Sequence, residues 1–302
     1  MPGDAPAPIP VSVVVLTRNE AVRLPGCLAT LRDFAEVVVV DSDSDDGTQA
    51  IARRAGARVV DFRWDGRYPK KKQWSLEHAD LNHRFVLMLD ADERLTPALT
   101  REIRVLMAQG PDAAGYFIAA RNSFAGQCLR FGVRNKKLAL IDRWRARFPV
   151  IPDLDVTAMG EVEGHYQPAL AGPTGQLRAA MRHEAGDDPQ GWLARHLRYA
   201  EWEARLRADG RATALWATEG WGRRLAKRVL HRIPLRPLFV FVHGYIWHLG
   251  LLDGRAGFDF ALARALYYWQ VGLLTRHYRR RCARHDRHSA AGHTARAGAG
   301  AD

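Results

Sequence analysis

The sequence predicts an α/β protein: a doubly wound, mixed or parallel sheet followed by a C-terminal helical, membrane-associating region. Two observations predict the sheet. Short β-branched runs alternate with segments of helical spacing over residues 11–120, and polar residues cluster where those runs end. A third observation, an Arg- and Trp-rich helical texture after about residue 185, predicts the second region. Hydrophobic residues make up 47% of the 302 residues, which is enough for a sizeable core.

Strands and helices are predicted in alternation along the first half of the chain. The predicted strands are residues 11–17, 37–40, 57–62, 84–89 and 115–120, and the predicted helices are 20–31, 48–55, 73–79 and 97–108. The strands are apolar runs, typical of strands covered on both faces. Pro97 stands near the start of the last helix, where its missing N–H costs little. Such repeats place ligands at the carboxyl ends of the strands.

Three regions are predicted: a sheet domain (1–185), a helical amphipathic region (186–282) and a disordered basic tail (283–302). The helical region opens with a predicted helix over 192–207. Its apolar segment 237–252 has 16 residues, fewer than the ~20 that span a bilayer. Residues 258–274 are amphipathic and aromatic, and an arginine cluster follows at positions 276, 279, 280, 281, 284 and 287. These features predict peripheral attachment to an anionic membrane surface. A helical cap packed on the sheet domain or on a second subunit is the alternative.

The net charge of +12 favours anionic partners: nucleic acid, anionic lipid or phosphorylated substrates. The three cysteines have no paired spacing, which argues against a disulfide framework or a zinc site. The N-terminus lacks the basic start and apolar run of a signal peptide. We therefore expect a cytoplasmic protein, peripheral on the inner face of the cell membrane.

Acidic residues follow three of the predicted strands, in the segments 17–20, 41–46 and 90–93. Carboxylates converging on one rim repel each other, and a bound cation or a sugar hydroxyl is the simplest compensation. Asp90 and Asp92, two residues apart, can share Mg²⁺ or Mn²⁺ with a diphosphate. The metal would neutralise the charge on a departing nucleotide diphosphate.

Three motifs, at residues 13–20, 39–48 and 87–94, resemble those of family 2 glycosyltransferases. The nearest subgroup is the lipopolysaccharide-core glucosyltransferase type. The resemblance implies a GT-A fold, an inverting mechanism and a nucleotide-sugar donor, a UDP-sugar. It also implies a glycan or lipid-linked acceptor in the synthesis of cell-envelope polysaccharide or lipopolysaccharide, with 1–185 as the catalytic domain.

The resemblance also implies roles for particular residues. Asp41 accepts a hydrogen bond from the base, Lys72 lies near the donor, Asp90 faces the ribose and the metal, and Asp92 ligates the metal. The remaining implied lining of the nucleotide pocket is Thr17, Asn19 and Glu20. Lys72 could instead belong to a solvated basic loop. Asp43, Asp45 and Asp46 are interpreted as turn and cap residues.

An inverting transfer needs a general base, which in this family is an acidic residue well after the Asp-x-Asp motif. The candidates are Glu161 and Glu163, with Glu161 preferred; a structural role is the alternative for each. His183 could complete the metal site or be a surface histidine. Arg195, Arg198 and Tyr199 resemble an element of processive relatives that contacts acceptor or diphosphate. The alternative is an amphipathic helix with arginines on its solvated face.

Two other functions compete with this interpretation. A nucleotidyltransferase would carry a Gly-rich loop after the first strand, but no glycine occurs there before Gly26. A nucleic-acid-binding protein would fit the charge. However, no recognition motif is visible, and acidic strand ends would oppose phosphate binding. We therefore expect no nucleic-acid partner.

Overall fold

The computed structural model describes residues 6–156, 160–164, 166–186, 188–212 and 235–298, with side chains up to 282. The strands in this part are β1 Ile9–Thr17, β2 Phe34–Asp41, β3 Arg58–Asp61, β4 Phe85–Asp90, β5 Glu93–Arg94, β6 Gly115–Phe124, β7 Gln127–Cys128, β8 Asn135–Asp142, β9 Ala146–Arg147, β10 Ala169–Leu170 and β11 Thr174–Gly186. The helices are α1 Leu24–Leu28, α2 Thr48–Arg54, α3 Lys71–His78, α4 Pro97–Gln109, α5 Pro189–Ala208, α6 Arg236–Val242 and α7 Gly254–Gly298. A π-helical turn, His243–Trp247, and a 3₁₀ turn, Gly250–Asp253, join the last two helices.

One mixed sheet organises the chain, in the order β3-β2-β1-β4-β8-β6-β11-β5, with β7 paired to β6. β3, β2, β1 and β4 are parallel, β8 runs against its neighbours β4 and β6, and β5 runs against β11. The prediction of a mixed α/β sheet is confirmed. Two of its long strands, β8 and β11, lie outside the five predicted from the sequence.

The sheet is covered on both faces, as its apolar strands require. Alternate residues of β1 enter opposite cores because successive side chains point to opposite faces. Val13 and Val15 pack with residues of α1, α2 and α4, whereas Val14 and Leu16 pack with residues of α3 and α5. The parallel register sets Thr17 opposite Asp41 in β2 and Leu16 opposite Asp90 in β4. The polar ends of β1, β2 and β4 therefore share one edge.

A fully buried ion pair ties the loop before α3 to the segment after β9 and to α5. Lys70 Nζ lies 2.9 Å from Asp153 Oδ2, and both side chains are 0% exposed. The Tyr68 hydroxyl donates to Asp153 Oδ1 at 2.6 Å, and Trp202 Nε1 of α5 donates to Oδ2 at 3.2 Å. The Asp153 carboxylate thus has three donors, of which Lys70 and Trp202 are buried, and they lower the cost of burying its charge.

The C-terminal helices differ from the prediction in one respect, the tail. The apolar segment 237–252 forms most of α6 and of the π-helical and 3₁₀ turns that follow it. From residue 283, where a disordered tail was predicted, the structure continues α7 to Gly298; alanine and arginine, frequent there, both favour helix. In the part of the chain that is described, no helix is both long and apolar enough to cross a membrane.

The buried pair gives a stability prediction. Asp153→Asn removes the negative partner and leaves the Lys70 charge buried, so it should lower the free energy of unfolding by about 3–5 kcal/mol. Asp155→Asn is the matched control, because Asp155 pairs with Arg211 at 2.8 Å while its side chain is 67% exposed. An exposed pair of this kind contributes within about 1 kcal/mol. Urea denaturation of both variants measures the difference, and equal losses would contradict the assignment.

Candidate functional site

The ends of β1 and β2 are joined through one carboxylate. Asp41 accepts hydrogen bonds from the Thr17 hydroxyl at 2.7 Å, from the Ser44 amide and hydroxyl at 2.9 and 2.6 Å, and from Gln49 Nε2 at 2.9 Å. Burial opposes its ionisation, but these donors outweigh burial and hold the pKa of Asp41 below its ordinary value. Its four acceptor positions are filled from within the chain. A nucleotide base that hydrogen-bonds to Asp41, as predicted, would have to replace one of these donors.

The loop after β1 is held against the loop after β2. Asn19 adopts a left-handed conformation with φ of 56°, which asparagine tolerates. Its amide donates to Ser44 Oγ at 2.8 Å, and its side-chain oxygen accepts from the Asp45 amide at 3.1 Å. Glu20 lies beside Arg23 at 3.2 Å. Burial raises the pKa of the Glu20 carboxyl in spite of Arg23. Asn19 therefore shapes the rim, and Glu20 is a partly exposed acid beside it.

A buried lysine lies beneath this rim. Lys71, whose side chain is 1% exposed, donates from Nζ to the Thr17 carbonyl at 2.6 Å and to Ser42 Oγ at 2.5 Å. The Glu161 carboxylate lies 3.7 Å away. Burial lowers the pKa of Lys71 from its ordinary 10.5 to about 8, although Glu161 opposes that shift. Lys71, not singled out from the sequence, thus connects the end of β1 with the segment that contains the candidate bases.

Glu163 caps the first turn of α3. Its carboxylate accepts from the backbone amides of Lys72 and Gln73 at 2.7 and 2.9 Å, and Lys72 Nζ donates to the Glu163 carbonyl at 3.1 Å. Burial raises the pKa of Glu163 even though these amides stabilise its charged form. Both carboxylate oxygens are therefore engaged at a helix N-terminus, an arrangement that stabilises the helix.

Glu161 differs from Glu163 in its surroundings. Its carboxylate lies 3.7 Å from Lys71 Nζ and 3.8 Å from Arg18 Nη1, with the side chain 11% exposed. Both separations exceed hydrogen-bond distance. Glu161 therefore lies beside two cations without a hydrogen bond to either, and a small part of its side chain is exposed to solvent. Two neighbours in the same motif, Met159 and His165, lie outside the described residues.

The Asp90 carboxylate at the end of β4 is paired with a lysine of β8. Lys137 Nζ lies 3.0 Å from Asp90 Oδ2 and 2.6 Å from Glu93 Oε2. Burial alone would raise the pKa of Asp90, but attraction to Lys137 and Lys72 outweighs it and holds that pKa well below its usual range. The more enclosed Glu93 has a raised pKa because of burial, and the two acids raise the pKa of Lys137. Asp90 is thus ionised and half exposed.

Asp92 meets His183 because β5 pairs antiparallel with β11. His183 is opposite Glu93 in that pairing, and the Glu184 amide donates to the Asp92 carbonyl at 2.9 Å. His183 Nε2 lies 3.6 Å from Asp92 Oδ1. Within the described residues, Oδ1 is buried and has no hydrogen-bond partner. His183 Nδ1 lies 3.3 Å from Asn122 Oδ1, a contact that orients the imidazole.

The predicted metal set is only partly brought together. Asp92 and His183 are adjacent, whereas the Asp90 carboxylate is turned towards Lys137. Across the ranges that the structure describes, no three His, Cys, Asp or Glu side chains are grouped so that they could hold a metal ion. Asp92, with its buried and unpartnered Oδ1, and His183 are therefore the two predicted metal ligands that the described structure brings together.

Helix α5 presents two of its three predicted residues to this acidic cluster. Arg195 donates to the Ala185 carbonyl at 2.6 Å, near the end of β11. Burial raises the pKa of Tyr199, with repulsion from Asp90 and Asp92 adding to it. Arg198 is more exposed. Arg195 and Tyr199 thus face the site, one helical turn apart.

Lys71, Glu93 and Lys137 belong to the site but were not predicted for it. Glu93 lies in the acidic segment 90–93, of which only Asp90 and Asp92 were predicted to be site residues. Lys137 lies in a strand that was not predicted, although 138–141 is an apolar run. That apolar run, which follows two lysines, could have predicted a strand with Lys137 at its polar end. For Lys71, three successive lysines gave no indication of which one is buried.

Comparison with known proteins identifies a family for the first half of the chain. Residues 12–160 match the profile described as "Glycosyl transferase family 2". A lipopolysaccharide core biosynthesis glycosyltransferase, LpsC of Rhizobium meliloti, is 33% identical over 147 residues, covering 46% of this chain and 53% of LpsC. A TPR repeat-containing protein of Synechococcus elongatus is 34% identical over 118 residues, covering 39% of this chain and 28% of that protein. The chain thus spans about half or less of the length of these curated relatives.

Two solved structures are similar over different lengths of the chain. A mannosyltransferase from Pyrobaculum calidifontis, in complex with GDP-Man and Mn²⁺, has 19% identity and a TM-score of 0.48, covering 90% of this chain and 89% of its own. Glucosyl-3-phosphoglycerate synthase from Mycobacterium tuberculosis, with Mn²⁺ and UDP, has 22% identity and a TM-score of 0.30, covering 37% of this chain and 44% of its own.

Lys71 gives a pH prediction. Below pH 8 Lys71 is charged in both the folded and the unfolded protein, and the folded protein bears the full free-energy cost of burying that charge. Between about pH 8 and 10.5 the unfolded state binds more protons, so stability rises with pH. The free energy of unfolding of the wild type relative to Lys71→Met should therefore increase across this window. Urea denaturation between pH 7 and 10.5 measures it, with the exposed Lys136→Met as control; a difference independent of pH would contradict the prediction.

Proposed function

Residues 12–160 belong to glycosyl transferase family 2, and on that premise we propose that the chain transfers a sugar from a nucleotide-sugar donor to a glycan or lipid-linked acceptor. The donor is a UDP-sugar, the anomeric configuration is inverted, and the product belongs to cell-envelope polysaccharide or lipopolysaccharide. The name of LpsC, a lipopolysaccharide core biosynthesis glycosyltransferase, supports the last point. The reaction would take place in the cytoplasm, at the inner face of the cell membrane.

The observation that carries the proposal is the buried, unpartnered oxygen of Asp92 facing His183 Nε2 at 3.6 Å. An unsatisfied buried carboxylate oxygen costs free energy unless a ligand completes it. A divalent cation fits this position, and the donor set of carboxylate oxygen and imidazole nitrogen favours Mn²⁺ over Mg²⁺. Asp92 and His183 would hold the ion, which when bound would neutralise charge on the leaving diphosphate.

The surrounding residues have separate tasks in donor binding. Asp90, kept ionised by Lys137, can accept hydrogen bonds from ribose hydroxyls. Lys72, near enough to lower the pKa of Asp90, supplies positive charge for the diphosphate. Arg195 and Tyr199 close the site from α5 and are placed for the diphosphate or the acceptor. The Thr17–Asp41 pair shapes the base pocket, whose floor Lys71 supports.

Glu161 is the proposed general base. It removes the proton of an acceptor hydroxyl, whose oxygen forms a bond to the anomeric carbon as the bond from that carbon to the diphosphate breaks. The proton passes to Glu161, and the electron pair leaves with the nucleotide diphosphate. Two facts favour Glu161 over Glu163: no cation lies closer than 3.7 Å to its carboxylate, and its side chain is 11% exposed whereas Glu163 is 1% exposed. Glu163 is committed to the α3 amides.

The metal assignment is tested without turnover. Asp92→Asn should fold normally yet lose the rise in melting temperature that UDP and Mn²⁺ together produce in the wild type, because ligand binding to the folded state stabilises it. Asp43→Asn is the matched control, an exposed acid at the same rim whose left-handed backbone, φ 54°, suits asparagine. Thermal shift with and without EDTA measures both. An Asp92→Asn protein with an unchanged Mn²⁺-dependent shift would overturn the assignment.

The two glutamates are separated by a paired substitution. Glu161→Gln should keep UDP binding and stability but reduce transfer from a UDP-sugar by at least about 100-fold, the usual contribution of a general base. Glu163→Gln should lower the free energy of unfolding by about 1 kcal/mol, as loss of a helix cap does. Product formation and urea denaturation are measured for both variants. Normal turnover in Glu161→Gln would place the base elsewhere.

A further inference from the structure

Helix α7 has two faces of opposite exposure. One face, which includes Phe260, Ala263 and Val271, is buried. The opposite face carries five large apolar side chains that are each 40–50% exposed: Phe258, Leu262, Leu266, Trp269 and Leu273. Their spacing of three or four residues places them in one stripe along the helix.

Helix α6 and the turns after it continue this stripe into a wider surface. The Phe241 and Tyr245 rings each lie 5.6 Å from the ring of Phe258, and Arg236 lies 4.0 Å over the ring of Tyr268. α6 therefore runs antiparallel beside α7. Its large side chains and those of the following turns are also exposed: Leu235, Leu238, Phe239, Ile246, Trp247, Leu249, Leu251 and Leu252. These residues and the α7 stripe form what we name the apolar face.

Positive charge borders the apolar face. Arg255 precedes the α7 stripe, and Arg276 and Arg280 follow it at the same helical phase; all three are exposed. Within 254–281 there are six arginines and one acid, Asp259. Two arginines of the predicted basic cluster, Arg284 and Arg287, lie beyond the described side chains. The apolar stripe of α7 therefore has exposed arginines beyond both of its ends, although Arg255 lies 3.9 Å from Asp259.

We infer that the apolar face docks on the interfacial layer of an anionic phospholipid bilayer, with α6 and α7 lying in the plane of the membrane. So many exposed large apolar side chains on neighbouring elements are unusual on proteins that stay in water. No described helix can span a bilayer, whereas an exposed tryptophan such as Trp269 is suited to its interface. Apolar insertion combined with a basic border is the two-signal arrangement of stable peripheral binding.

The charge distribution favours lipid over a second copy of the chain. In a twofold-symmetric contact between two antiparallel α7 helices, Arg255 of one copy would meet Arg276 and Arg280 of the other. Those like charges would repel, with a single nearby acid, Asp259, to offset them. Anionic headgroups offer the opposite charge at both ends. The inference does not depend on the chemistry of the sugar transfer.

The test is co-sedimentation of the full chain with vesicles of phosphatidylcholine alone or containing about 30% phosphatidylglycerol. The wild type should bind the anionic vesicles more tightly, and less so at high salt. Leu266→Asp/Trp269→Asp should reduce binding at least about tenfold, since it replaces inserted side chains by anions. Arg276→Glu/Arg280→Glu should also reduce binding at least about tenfold. Each arginine near the anionic surface contributes about 1 kcal/mol to binding, and the new glutamates are repelled by that surface.

Two control proteins match these changes in size and charge. Val105→Asp alters an exposed apolar residue on α4, and Arg32→Glu/Arg101→Glu makes the same charge change away from the apolar face. Both should bind vesicles as the wild type does, and all variants should keep the wild-type melting temperature and UDP binding. A wild type that stays in the supernatant with anionic vesicles at low salt would refute the inference. So would a dimer, seen by size-exclusion chromatography, that Leu266→Asp/Trp269→Asp dissociates.

Discussion

Neutralisation of the carboxylates at one edge of the sheet is the constraint on which the site depends. The parallel register of β1, β2 and β4 brings Thr17, Asp41 and Asp90 to the same edge, and like charges in a partly dry setting cannot all stay ionised unaided. The charge of each acid is stabilised in a different way. Asp41 is saturated by neutral donors, and Asp90 is paired with Lys137. Among these three acids, Asp92 alone keeps a buried oxygen without a partner in the described part of the chain, and this oxygen is where we propose that a cation binds.

The fold and the acidic rim were predictable because they depend on local patterns. Apolar runs with helical segments between them identify β1, β2 and β4, and the rim follows from where those runs end. What escaped prediction depends on long-range pairing. Lys137 reaches Asp90 only because β8 pairs antiparallel with β4. The contact of His183 with Asp92, which was predicted as one of two alternatives, likewise depends on the pairing of β11 with β5. Neither strand pairing can be predicted from the periodicity of the sequence, because each joins segments that are far apart in the chain.

Residues of the same type in one motif also have different roles, and their spacing in the sequence does not predict which role each has. Glu161 and Glu163 are two positions apart in one irregular segment, yet one faces cations loosely while the other holds backbone amides of α3. The difference comes from where α3 begins, and that start is fixed by the buried Lys70–Asp153 pair one residue earlier. Lys70, Lys71 and Lys72 show the same principle, since three adjacent lysines have three unrelated environments.

Helix α5 separates the site from the C-terminal helices. Its Tyr199 faces the acidic cluster, while Glu203 accepts from the Tyr267 hydroxyl of α7 at 2.6 Å and His196 packs 5.7 Å from the same ring. Packed helices lie roughly 8–10 Å apart, so a bilayer beneath α7 would stand on the order of 20 Å from Asp92. If α7 docks on a bilayer as we infer, such a stand-off would set the length of the acceptor: a hydroxyl at the tip of an extended oligosaccharide would reach the proposed catalytic rim, whereas one on the first sugar above the lipid would not.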